Sequence, residues 1–136
     1  LQNAAFLPQF REAMRARGQV GDSKIDSLAV TEASQPVTVD AIFNAVGTQP
    51  LQAAQNVMTF LSSSQAADTL MHAARRLIFL KGTDSHDYKF STAAMEDYYK
   101  VSPNVRSQFM AASMYNLKGT SAPDNQLVDR IRAALV

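Results

Sequence analysis

The stretch QAADTLMHAARRLIFLKG, residues 65–82, decides the fold. Leu70, Ala73, Leu77 and Leu80 recur at intervals of three and four residues. That spacing lines one face of an α-helix. Gly82 closes the pattern, because glycine commonly ends a helix. Upstream, Ser62 stands three residues before Gln65, the spacing of a capping box. The run Ser62, Ser63, Ser64 breaks the preceding pattern, since serine hydroxyls compete for backbone hydrogen bonds. The reading is a helix over 65–81.

Working toward the N-terminus, Pro50 opens a helix whose stripe is Leu51, Ala54, Met58 and Leu61. Before it, Asp40 to Val46 reads as a short helix between a Thr38 cap and a Gly47 stop. Residues 18–37 are the least regular part. Gly21, Asp22 and Ser23 suggest a turn, Leu28 to Thr31 a short extended piece, and Pro36 biases Gln35 away from helix. The expectation is a long loop or extended connection packed on the domain or on a partner. The first helix is placed at Ala4 to Arg17. Phe6, Phe10 and Met14 form its stripe beside Leu7, Pro8 sits in the first turn, and Arg15 and Arg17 sit in the last turn before Gly18.

Working toward the C-terminus, residues 82–90 read as a loop, and Ser91 to Lys100 as a helix burying Met95 and Tyr98. Ser102 and Pro103 then open a helix carrying Val105, Phe109, Ala112 and Asn116 and ending at Gly119. Ser121 and Asp124 have capping-box spacing ahead of a last helix with Leu127, Ile131 and Leu135 on one face.

The fold class is therefore all-α: one irregular domain over residues 1–136, with six to seven helices in an orthogonal or bundle-like arrangement. The expected core includes Phe10, Met14, Phe43, Met58, Leu61, Leu70, Leu77, Met95, Phe109 and Ile131. A chain of 136 residues can bury about two thirds of its unfolded surface, so it needs no metal or disulfide to hold a core. No repeat at a fixed period and no low-complexity tract is present.

Composition narrows the function classes. The net charge is +1, and the Arg15/Arg17, Arg75/Arg76 and Arg130/Arg132 pairs are interspersed with acids, which is unlike a nucleic-acid footprint. The absence of cysteine excludes disulfides, thiolate metal sites and Cys nucleophiles within the chain, and leaves the compartment open. No apolar run approaches the ~20 residues of a membrane span. Charged residues make up only 18%, which points to a surface partly covered by a partner. The sequence begins at Leu1 rather than Met; a cleaved signal peptide, a cut precursor and a removed tag all fit.

Reactive side chains are densest in residues 82–90. Asp84 and His86 are ligand types that Zn²⁺ or Fe²⁺ accepts, His86 and Asp87 are candidates for acid–base work, and Lys89 is a candidate for holding an anion. The plain alternative is that these groups cap the next helix, with Tyr88 and Phe90 pinning the loop. His72 lies four residues after Asp68, a spacing that can orient its ring. If His72 and His86 met Glu96 or Asp97, a two-His-one-carboxylate site would follow. Tyr88, Tyr98, Tyr99 and Tyr115 with Met95, Met110 and Met114 suit either a core or an interaction surface. No phosphate loop, Gly-x-Ser-x-Gly elbow or His-Glu-x-x-His is present, so no cofactor is expected. Two readings of function result. One is a non-catalytic helical protein–protein interaction module or accessory subunit, its partner another protein or a second copy. The other is a small enzyme or ligand-binding protein with a polar site on residues 82–90 centred on His86.

Overall fold

The structure, a computed structural model, describes residues 2–18, 24–30, 35–64 and 66–135. Among the described residues there are seven α-helices: α1 (Gln2–Ala16), α2 (Val39–Ala45), α3 (Pro50–Ser64), α4 (Ala67–Lys81), α5 (Ser85–Tyr98), α6 (Arg106–Ser113) and α7 (Gln126–Ala134). Short 3₁₀ turns occupy Ile25–Ser27 and Pro103–Val105, and no strand occurs among the described residues. The all-α class read from periodicity is the class observed.

Local chemistry explains most boundaries. Thr38 is extended and its hydroxyl accepts the Ala41 N–H at 3.1 Å, which caps α2. Gly47 takes φ +89°, a left-handed turn that releases the chain into Pro50 at the head of α3. The serines do not break α3. Ser62 donates to the Thr59 carbonyl at 2.8 Å, and Ser63 donates to those of Thr59 and Phe60, both at 3.1 Å. Their hydroxyls fold back onto the preceding turn, so Ser62 is no N-cap; Gln65 lies outside the described residues.

α3 packs on α2 and α6, α4 packs on α2 and α5, and α5 packs on α6. The most deeply buried large side chains are Ile42, Phe43, Val46, Val57, Leu70, Met71, Met110 and Met114. Each contributes about 1.5–3 kcal/mol by leaving water. Of the expected core, Phe43, Met58, Leu61, Leu70 and Met95 are buried, while Leu77 and Phe109 are half-buried against it. Phe10, Met14 and Ile131 are exposed, which corrects their assignment.

The helix faces are also rotated. α4 turns Ala67, Leu70, Met71, Ala74 and Ile78 inward, leaving Ala73, Leu77 and Leu80 at the edge. α6 buries Met110 and Ala111, with Met114 just past its end, while Val105 and Asn116 are exposed. α3 buries Ala53, Val57 and Phe60 beside Ala54, Met58 and Leu61, and exposes Leu51. Alanine and methionine are spread around these helices' own sequences, so several angles give an apolar face.

The helix expected to end at Gly119 ends at Ser113, and Gly119 serves a different purpose. Its backbone crosses the end of α2, where Thr120 N–H donates to the Phe43 carbonyl at 3.0 Å. A Cβ there would lie 2.8 Å from that carbonyl oxygen and closer still to that of Val46.

α1 starts at Gln2, two residues before its expected start, so Pro8 lies inside it rather than in its first turn. Every side chain from Ala4 to Arg17 is exposed. In the long connection, Leu28 is extended and buried against the core, and the 3₁₀ turn before it packs on α6. Leu28 to Val30 form no strand. The turn expected at Gly21 to Ser23, and Thr31, lie outside the described residues.

Candidate functional site

Only residues 82–84 of the expected 82–90 loop are a loop. α5 begins at Ser85, six residues before its expected start, so His86, Asp87, Tyr88, Lys89 and Phe90 are helical. The cause is Asp84, an extended N-cap whose carboxylate accepts the N–H groups of His86 at 2.7 Å and Asp87 at 3.2 Å. Asp87 accepts the Thr83 N–H at 2.9 Å and pairs with Lys118 at 3.0 Å. Burial raises its pKa, but the Thr83 hydrogen bond and the Lys118 charge outweigh that and hold the carboxyl below its ordinary value. The Tyr88 hydroxyl donates to the Gly82 carbonyl at 3.0 Å. These groups satisfy the orphan backbone of two helix ends.

His86 stands outside this arrangement, with its side chain 93% exposed and Nδ1 3.5 Å from Asp84. Lys89 is exposed as well. His72 lies elsewhere, exposed on α4 on the side that faces α2. Its expected partner Asp68 instead accepts a hydrogen bond from the Tyr99 hydroxyl, which pushes the Tyr99 phenol pKa up. No three His, Asp or Glu side chains converge as a metal site among the described residues, so His72 and His86 share no two-His-one-carboxylate centre.

Sequence reasoning missed Asn125. It is buried and binds the C-terminal end of α4 to the start of α7. Its backbone N–H donates to the Leu80 carbonyl at 2.7 Å, and Nδ2 donates to Phe79 at 2.8 Å and Gly82 at 3.1 Å. Its side-chain oxygen accepts the Val128 N–H at 3.1 Å and so caps α7. Asp124, expected to close a capping box with Ser121, instead pairs with Lys81 at 3.2 Å and Arg132 at 2.8 Å. Those two bonds lower its pKa. The available signal was an Asn directly before a helix carrying Leu127 and Val128, which is N-cap chemistry in its own right.

Among the described residues a groove of about 710 Å³ runs between α2 and α4. Val39, Phe43, Ala73, Leu77 and Leu80 give it an apolar lining, while Asp40, Asp68, His72 and Arg76 add polar groups to it. The edge of α4 that sequence periodicity assigned to the core is thus a wall of this groove.

Two further surfaces are apolar and uncovered. On α1, Phe6 is 50%, Leu7 64%, Phe10 64% and Met14 44% exposed. On α7, Leu127 and Ile131 are exposed, as is Leu135 at its C-cap, and within the helix Val128 is buried. No described helix is long and apolar enough to cross a membrane. Together these features define a multi-helix domain with open apolar faces and no cluster of three metal-ligating side chains among its described residues. No family model, curated protein or solved structure matches the chain.

Proposed function

We propose that this chain is a non-catalytic helical protein-binding module. The observation that carries the reading is the pair of exposed stripes on α1 and α7. An amphipathic helix whose apolar face meets water is a binding surface awaiting its partner. Magnitude sharpens the reading. Fully burying one such side chain gives about 1.5–3 kcal/mol, so covering the exposed parts of the four on α1 gives roughly 3–7 kcal/mol. Association itself costs an estimated 4–15 kcal/mol. One stripe alone therefore supports weak binding, and a stable complex engages the second stripe or the groove as well.

A polar ligand site around His86 has less support, because the neighbouring carboxylates are occupied with backbone N–H groups and Lys118. The module reading is tested with the full chain by analytical ultracentrifugation and by retention of partners from native extract, comparing the wild type with Ile131→Asp. Self-association or retention that Ile131→Asp weakens supports it. A monomer that retains nothing sinks it.

A further inference from the structure

We infer that the α2–α4 groove is the seat for α1 of a second copy of this chain, so that two chains exchange their N-terminal helices. This rests on the module reading above and names the occupant of one surface. α1 offers Phe6, Leu7, Phe10 and Met14, the i, i+4, i+8 and i, i+3, i+7 anchors by which a helix lies in an apolar groove. The groove offers an apolar lining of matching character from Phe43, Ala73, Leu77 and Leu80. The charges are opposite in sign, as attraction requires. α1 with its terminal turn carries Arg11, Arg15 and Arg17 against Glu12 alone. The groove carries Asp40 and Asp68 against Arg76 alone.

Within a single chain this seat is not taken, since residues 4–18 are all exposed. Nine residues lie between Gly18 and Leu28, where the connection is anchored against the core, and three of them form the 3₁₀ turn Ile25–Ser27, so the tether spans at most about 30 Å. That length is on the order of the diameter of a domain this size, enough for an arm to cross to a neighbouring copy. One-way donation would leave an open chain of copies, whereas mutual exchange closes a two-fold dimer.

The absence of cysteine makes the test clean. Two full-length single-cysteine chains, Leu7→Cys and Thr69→Cys, are mixed under mild oxidation. Both positions are exposed, so neither change disturbs the fold. The expected product is a disulfide-linked pair containing one of each chain. In sedimentation, the wild type should form a dimer that dissociates on dilution, and Phe10→Asp should raise its dissociation constant at least tenfold with the helical circular dichroism unchanged. A dimer that survives Phe10→Asp overturns the exchange and leaves the module reading standing. A Leu7→Cys/Thr69→Cys double variant that closes only within its own chain at every concentration also overturns it. So does a wild type that is monomeric throughout; partner retention from extract then separately decides the module reading.

Discussion

Asn125→Ala should be among the most damaging substitutions of a polar residue in the chain. The change removes one helix cap and two side-chain hydrogen bonds at once. Loss of an Asn cap costs about 1 kcal/mol. The Gly82 carbonyl keeps the Tyr88 hydroxyl as a partner, so losing its bond to Asn125 costs roughly 0.5–1.5 kcal/mol. The Phe79 carbonyl loses its Asn125 partner at a part-buried site, which costs about 1–2 kcal/mol. The sum is about 3 kcal/mol, a large share of a typical domain stability of 5–15 kcal/mol. Urea unfolding followed by circular dichroism at 222 nm reads it directly, as a fall in midpoint at constant slope. Asn125→Asp separates the two roles. It keeps the capping oxygen but sets a carboxylate against two carbonyl oxygens, so it should be at least as destabilising as alanine. A loss below about 1 kcal/mol for Asn125→Ala, or an Asn125→Asp protein as stable as the wild type, would refute the clamp.

Gly119→Ala should destabilise by about 1–3 kcal/mol or more, because its Cβ meets backbone oxygens that cannot rotate aside; a neutral effect in urea unfolding would contradict the crossing over α2. Leu70→Ala should cost about 2–5 kcal/mol, and Leu77→Ala clearly less, since Leu70 is buried and Leu77 lies at the groove edge; equal losses would return Leu77 to the core. Acid should weaken the fold through Asp87 and Asp124. Both pKa values lie below the ordinary 3.8, so at low pH the unfolded chain binds protons that the folded chain refuses. The stability they supply is complete above pH 5 and falls as pH drops through 3.8 toward the folded values. Lys118→Met should flatten the Asp87 part of that slope, measured as urea midpoints between pH 5 and 3, and an unchanged slope would disprove the pairing.

Much of the architecture was legible in single residues. Thr38, Gly47 and Pro50 mark boundaries because a hydroxyl cap, a left-handed turn and a missing N–H each act within a few residues. What failed was the angular choice of face. α3, α4 and α6 are rich in alanine and methionine, so a stripe drawn through Leu77 or Val105 fits the period as well as the true one. Tertiary packing chose Met71, Ile78 and Met110. The stripes on α1 and α7 were read correctly as apolar and wrongly as covered, since periodicity reports that a face suits burial and not which molecule buries it. Residues 82–90 looked like a loop because their side chains are polar. One carboxylate, that of Asp84, was enough to start the helix at Ser85. Asn125 acts across more than forty residues, and local spacing holds no trace of such a contact.

The position of α4 has a practical consequence. One edge of this helix packs the interior through Leu70 and Met71, and the other walls the groove through Ala73 and Leu77. Whatever occupies the groove therefore grips an element whose release is part of unfolding. By mass action an occupant present at a hundred times its dissociation constant adds about 2.7 kcal/mol to the folded state. With α1 of a second copy as the occupant, heat becomes a detector of the exchange. The melting midpoint should rise with the concentration of the chain itself, and a substitution at Leu77 that fills the groove should abolish the rise.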